Sequence, residues 1–286
     1  MNRAEGVECV RMRRETGTQE VGFASRPFVL CGLPVKKPVP GVLLHERRNG
    51  AFLLQVTGHP SYGLPWGQDR LVPIFLATLA VRRQSRTIKF ASAVEMLDTF
   101  GMHHGGAQYR RLVGAFQRIF GATIFFGTDT QRERAKVVHQ ARFNFMSEAR
   151  IWYSHDPSQG TLPGVYENEI VLTAEFFQEI TDHPIPADLE AVRTLSSCPA
   201  VLDLFTWLSY RCYTARGEER IPLFGHAGLM SQLGSVDYAR PRKFREKVEQ
   251  WLRTIRQMWP ECPAVISSDG KVLQIHRARA IRDEFR

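Results

Sequence analysis

Ten charged side chains have the chemistry needed to hold a nucleic acid. Lys and Arg neutralise phosphates, Arg can also bind O6 and N7 of guanine together, and Glu can accept a hydrogen bond from cytosine N4. Seven of the ten lie in the C-terminal part of the chain: Arg240, Arg242, Lys243, Glu246, Arg253, Arg256 and Lys271. The other three, Arg110, Arg111 and Arg118, lie roughly one domain length earlier. These ten residues form our candidate DNA-binding set.

Most of these side chains lie on the polar faces of two predicted amphipathic helices. At 100° per residue, residues 241–259 place an apolar stripe through Phe244, Val248 and Trp251, and the charged residues point away from it. Residues 107–120 show the same pattern, with a stripe through Leu112 and Phe116. Seven basic and two acidic residues lie between positions 240 and 256, which favours a phosphate-facing surface there. On the first helix an ordinary solvated face remains an alternative.

Recognised patterns for catalysis are missing from the sequence. It has no GxxxxGK[ST] loop to hold nucleotide phosphates, no HExxH and no GxSxG. His103 and His104 are adjacent in a turn, so they would not converge on one metal ion, and Tyr109 belongs to the apolar stripe of its helix. We therefore predict a non-enzymatic protein with no catalytic residues, no metal and no cofactor.

Charge is segregated along the chain. The 38 basic and 29 acidic residues leave a net charge of +9. The balance is +4 over residues 1–70, +7 over 71–154, −8 over 155–219 and +6 over 220–286. Two basic blocks that flank an acidic one indicate two surfaces that face a polyanion, although ordinary solvated faces are an alternative.

Cysteine usage and hydropathy bear on the compartment. The five cysteines form no CxxC pair, which favours reduced thiols. Neither a membrane span nor a secretory signal is expected, because no stretch approaches the ~18 apolar residues that a span requires. We predict a cytoplasmic protein with no membrane partner.

Two segments of the chain repeat each other. Each has a short strand, apolar turns that stop at a glycine (Gly101 or Gly234), and then one of the two long helices. Each is preceded by an apolar helix with proline in its first turn, at 71–83 and 198–214. Each is followed by a predicted β-ribbon, formed by 123–127 with 142–147 in the first copy and by 264–268 with 271–276 in the second. Asp269-Gly270 in the second ribbon is a strong hairpin signal.

This order of elements is that of a winged helix, and the chain contains it twice. In helix-turn-helix folds the longer second helix enters the major groove. We predict an α+β fold with tandem winged-helix domains at 41–154 and 155–286, in which 155–197 form an acidic connector and entry elements. Residues 1–40 hold four prolines and little periodicity, so they are predicted to be a flexible arm. An Asn49-Gly50 hairpin begins the folded body.

Short motifs in a fixed order resemble a known family. They run from Tyr62-Gly63-Leu64-Pro65-Trp66-Gly67 through Arg70-Leu71-Val72 and residues 80–88 to Gly105-Gly106 and Arg110-Arg111-Leu112. Over about residues 60–277 the chain is similar to the RepA family of plasmid replication initiators. The first 40 residues do not match that pattern, so a partner contact there has no support.

The resemblance implies a function and partners. Two winged-helix domains would bind directly repeated sites in double-stranded origin DNA, called iterons, help to open the duplex, and recruit host replication proteins such as a helicase and the host initiator. Related initiators also exist as homodimers in equilibrium with monomers, and the dimers repress their own gene. The alternatives are a winged-helix transcriptional repressor and a replication enzyme, either a primase or a relaxase.

Overall fold

The computed structural model describes residues 3–90, 95, 97–98, 104–132, 135–150, 168–233 and 240–282. The predicted glycine stops at Gly101 and Gly234, His103, and most of the short apolar turns before Gly101 lie outside these residues. The helices whose bounds the structure gives within them are α1 Arg3–Thr16, α2 Arg26–Leu30, α3 Leu71–Arg83, α4 Gly106–Gly121, α5 Ala174–Asp182, α6 Leu189–Leu195, α7 Pro199–Thr214, α8 Leu229–Leu233 and α9 Pro241–Met258, and residues 95 and 97–98 are also helical. A 3-10 helix, Gly67–Arg70, precedes α3.

Twelve strands complete the described part of the fold, which is a mixed α+β structure. They are β1 Val21–Ala24, β2 Leu44–Asn49, β3 Phe52–Thr57, β4 Thr87–Phe90, β5 Thr123–Arg132, β6 Ala135–Asn144, β7 Met146–Arg150, β8 Asn168–Leu172, β9 Ile185–Asp188, β10 Glu219–Pro222, β11 Val265–Ile266 and β12 Val272–Ile275. Both long helices predicted from periodicity are present, and Pro241 opens α9.

Two small sheets have the same topology. In the second repeat (residues 199–275) the strand order is β10-β12-β11, and both pairings are antiparallel. In the first repeat (residues 71–172) the order is β4-β8-β7, again antiparallel. The strand before the long helix therefore pairs with the last strand of its repeat in both copies.

The first ribbon is not where the sequence predicted it. β5 and β6 do pair, with Thr123 opposite Asn144, but they extend the β2–β3 hairpin into a four-stranded sheet of order β2-β3-β5-β6. The strands equivalent to β11 and β12 are β7 and β8. The period-2 pattern identifies a strand but not its partner, so the β5–β6 insertion was mistaken for the ribbon of the repeat.

The sheet of the first repeat contains strands from both sides of the boundary predicted between residues 154 and 155. β8 (168–172), which was expected to lie in the acidic connector, is the central strand of the first repeat's sheet. Its alternate residues Ile170 and Leu172 are fully buried, and this burial on one face holds it there. The first repeat therefore extends to Leu172.

Residues 3–30 form two helices and a strand with partners far along the chain, where the sequence predicted a flexible arm. β1 pairs antiparallel with β9, so the acidic stretch supplies the partner strand. α1 packs on α6 and α9. Arg14, only 5% exposed, donates to the carbonyl of Ala280 and lies 5.4 Å from the ring of Trp259. The partners of this segment are about 160–270 residues away in sequence, so local periodicity could not reveal them.

The two repeats share one core. Buried side chains of α3, α7 and α9 belong to a single apolar cluster, and Phe75, Trp207 and Phe244 are among its largest members. Polar contacts cross the same boundary: Arg70 of the 3-10 helix donates to Asp203 of α7 at 3.0 Å, and both side chains are more than 90% buried. The fold thus holds α9 and its sheet against the rest of the molecule.

Candidate nucleic-acid interface

Helix α9 presents a charged face because its opposite face is fully buried. Phe244, Val248 and Ile255 have no exposed surface, and this fixes the rotation of the helix about its axis. The residues of the candidate set that lie exposed on or next to α9 are Arg240, Arg242, Lys243, Glu246, Arg253 and Arg256. Such a face can approach a phosphate backbone without disturbing the core.

Arg242 and Glu246 form a pair on this face. The Arg242 side chain is 83% exposed, and its Nε lies 2.9 Å from Glu246 Oε1, one helical turn away. An exposed i,i+4 pair stabilises a helix by only about 0.3–0.5 kcal/mol, so a stronger partner can displace it. Arg242 is therefore available to base edges or phosphates, and Glu246 to base edges.

The β11–β12 turn carries Lys271 beside this helix. Asp269 Oδ1 accepts hydrogen bonds from Ser267 Oγ and from the amide of Lys271, and these bonds, in that order, lower the pKa of the Asp269 carboxyl. Gly270 adopts φ +68°, a conformation that favours glycine. The turn is thus locally ordered, with the exposed Lys271 at its end.

Two arginines connect α9 to this ribbon. Arg256 Nη2 donates to the carbonyl of Ala264 at 2.6 Å, just before β11. Arg245 lies over Gly270 at the turn. The sequence prediction included Arg256 as a phosphate contact, and the structure gives it this second partner. It omitted Arg245 and the exposed Lys247, although both belong to the seven basic residues counted between 240 and 256.

In the first repeat the three candidate arginines differ. Arg110 and Arg111 are exposed on α4, and Arg111 Nη1 donates to Gln68 Oε1 at 2.9 Å. Arg118 instead makes two hydrogen bonds to Asp69, at 2.6 and 2.9 Å, and stacks over Trp66 at 5.7 Å. Its guanidinium neutralises a carboxylate that is 97% buried, so the DNA contact predicted for Arg118 would compete with this ion pair.

The described ranges hold no group of three or more His, Cys, Asp or Glu side chains placed to bind a metal ion. Within the same residues, no helix combines the length and the apolar character that crossing a bilayer would require.

Comparisons with known proteins identify similar sequences and folds. The family model described as "Plasmid encoded RepA protein" matches residues 64–221. A crystal structure of domains 2 and 3 of RctB, solved as the selenomethionine derivative, superposes with a TM-score of 0.55 at 13% identity, covering 85% of this chain and 94% of that chain. A second crystal structure of RctB domains 2–3 superposes with a TM-score of 0.53 at 13% identity, covering 87% of this chain and 94% of that chain. No curated protein sequence matches significantly.

Proposed function

Because the chain belongs to the family of plasmid-encoded RepA proteins, we propose that it is a plasmid replication initiator that binds directly repeated origin sites through two winged-helix domains. The family match covers more than half of the chain, and the fold resembles that of domains 2 and 3 of RctB. The observation that carries the proposal is the basic outer face of α9, next to the β11–β12 ribbon and in a chain of this family.

The shared topology of the two repeats supports two winged-helix domains. β10-β12-β11 and β4-β8-β7 have the same order and direction, each with a long helix between its first and second strand along the chain. In this proposal α9 enters a major groove and Lys271 of the adjoining ribbon contacts phosphate. Arg110 and Arg111 of α4 supply the contacts of the first repeat. Arg118 is excluded from the DNA-binding set because of its ion pair with Asp69.

A mobility-shift titration on the DNA that flanks the coding region tests the proposal. We expect discrete complexes on directly repeated sites and an affinity that falls steeply with salt, by about 0.9 in the log–log slope for each phosphate neutralised. An affinity that is unchanged between low and physiological salt would contradict phosphate binding. Binding to random DNA of the same length is the control.

The same experiment separates the alternatives. A transcriptional repressor would bind one inverted repeat, because a twofold dimer requires half-sites related by the same symmetry. A primase or relaxase would show primer synthesis or metal-dependent nicking by the purified protein. The recruitment of host helicase and host initiator, and a cytoplasmic location, are further parts of our proposal and follow from the family alone.

We also propose that the protein exchanges between homodimer and monomer. β2 is a terminal strand of its four-stranded sheet, and the segment that enters it exposes Val39 (72%), Val42 (47%) and Leu44 (56%). An edge strand presents unpaired backbone groups to a second copy, and exposed apolar side chains where the chain enters the strand favour such pairing. Sedimentation at micromolar concentration should detect a dimer that Leu44→Lys converts to monomer. A wild type that is monomeric with and without DNA would contradict this.

A further inference from the structure

Helix α9 contacts the tip of the β11–β12 turn, where Arg245 lies against Gly270. Gly270 is buried, although it belongs to a surface turn. An ideal Cβ on this glycine would come within 2.8 Å of Arg245 Cδ and 3.3 Å of Arg245 Cζ, and closer still to Nη1. The Arg245 side chain therefore covers the turn and occupies the space that any other residue at 270 would need.

Arg245 is less exposed than Arg242 of the same helix. Its Nε is buried and makes no hydrogen bond to the described residues, and it forms a long ion pair with Glu249 Oε1 at 3.7 Å, one helical turn away. Its side chain is 38% exposed, against 83% for Arg242. Arg245 thus packs over Gly270 while its ion pair lies within its own helix.

A second contact holds the other end of the ribbon. Arg256, eleven residues along α9, donates to the carbonyl of Ala264, and the Lys271 carbonyl accepts from the Leu223 amide at 2.7 Å. The Arg256 contact attaches the base of the ribbon to the C-terminal end of α9, and the Arg245 contact attaches its tip to the second turn of the helix.

We propose that Arg245 is a positioning residue that sets where the ribbon presents Lys271 relative to the reading helix. The inference rests on the proposed DNA-binding function and assigns to Arg245 a role distinct from a base or phosphate contact. With the turn held on α9, the Lys271 ammonium reaches phosphate at a fixed distance from Arg242 and Lys243. Without the contact, the turn opens and the Lys271 contact is no longer in register.

A double-mutant cycle in the full-length protein tests the proposal through the salt dependence of binding to origin DNA. In the wild type, Lys271→Ala should reduce the log–log salt slope by about 1, as expected for one lost phosphate contact. In the Arg245→Ala background the same substitution should leave the slope unchanged, because the contact is already lost. Slopes that fall independently, by about 2 in the double variant, would mean that Arg245 itself contacts phosphate, and this would overturn the proposal.

Hydrogen exchange without DNA tests the contact separately from the function. The amides of Gly270, Lys271 and Val272 donate within the turn, and Arg245→Ala should make them exchange roughly tenfold faster while amides of α9 keep their rates. Unchanged exchange in the turn would overturn the proposal. A wild type that fails to bind origin DNA selectively would overturn the proposed function. The exchange result would still show whether Arg245 holds the turn on α9.

Gly270→Ala tests the same Arg245–Gly270 contact by changing the glycine instead of the arginine, and it has a matched control. The new methyl group must displace Arg245, so this variant should reproduce the faster exchange and the loss of the Lys271 effect. Gly50→Ala is the control, because Gly50 also has a positive φ (+60°), ends a hairpin, and has no neighbour within 4 Å of the added Cβ. If Gly50→Ala changes DNA binding as much as Gly270→Ala does, backbone strain explains the result and the proposal is wrong.

Discussion

At the scale of single residues, the start of α9 should determine which sequence is recognised. Arg242 and Lys243 are exposed beside the buried Phe244, so either can be shortened without creating a cavity. We predict that Arg242→Ala or Lys243→Ala weakens binding to the specific site by ~1–3 kcal/mol and binding to random DNA much less. Arg253→Ala should weaken both about equally. Competitive titration with specific and random duplexes measures the difference.

Substitutions of the corresponding arginines in the first repeat could contradict the assignment of α9 as the reading helix. If Arg110→Ala and Arg111→Ala abolish specificity while the Arg242 and Lys243 variants retain it, sequence is read by α4 and our assignment of the reading helix is wrong. The four substitutions form a matched set, because all four side chains are exposed on, or at the start of, a long helix.

Arg118 should matter for stability rather than for DNA. Its partner Asp69 also accepts a hydrogen bond from the Trp66 amide at 2.9 Å, and it is 2% exposed. Removing one member of a buried pair leaves an uncompensated charge, so Arg118→Ala should lower the free energy of unfolding by ~3 kcal/mol. Arg110→Ala, on the same helix but exposed, should change it by less than about 0.5 kcal/mol. Urea unfolding measures both. A stable Arg118→Ala variant that no longer binds DNA would restore Arg118 to the interface.

At the scale of elements, α1 packs closely against α6 at Gly6. A Cβ on Gly6 would lie 2.7 Å from Thr194 Oγ1 of α6, so only glycine permits this helix contact. Gly6→Leu should therefore lower the free energy of unfolding by ~1–3 kcal/mol, as overpacking does. Ala4→Leu, exposed on the same helix, is the control and should have little effect. Equal stabilities for the two variants, measured by urea unfolding, would restore the flexible arm.

At the scale of the whole molecule, buried polar groups of β2, the 3-10 helix and α7 interact with one another. Nε2 of His45 in β2, a residue 9% exposed, donates a hydrogen bond to the Gly32 carbonyl at 2.9 Å. Burial, followed by the charge of Arg47, lowers the pKa of His45 from 6.5 to about 4. Burial raises the pKa of Asp203 to about 6, against the opposing charges of Arg70 and Arg47.

These shifts predict an acid-sensitive contact. Unfolded His45 binds a proton near pH 6.5 while the folded form does not until about pH 4, so its contribution to stability is lost as the pH falls through this window. We expect the wild type to lose about 2 kcal/mol more than His45→Gln between pH 7.5 and pH 5. Asp203 acts in the opposite direction, but it is present in both proteins and cancels in the difference. His183→Gln, at an exposed position, is the control. Equal pH dependence of urea unfolding in the wild type and in His45→Gln would refute the prediction.

The sequence by itself determined what depends on near neighbours along the chain. Hydrophobic periodicity identified the apolar helix before each repeat, both long helices and the outward direction of their charges, since a buried stripe dictates which residues face away. The Asn49-Gly50 and Asp269-Gly270 turns were identified from their own residue types. The motifs that carry the family resemblance likewise lie within a short stretch, residues 62–112, and the RepA family match includes them from Leu64 onward.

Only the tertiary structure decided which distant elements pair and which charged side chains are neutralised by an ion pair. β8 joins the first repeat's sheet, β1 pairs with β9, and Arg118 is neutralised by Asp69, 49 residues away. A strand's period of two residues specifies its buried face but not its neighbour, and an arginine's spacing specifies its direction but not its partner. Those outcomes depend on long-range packing, in which a single core buries side chains from the whole chain.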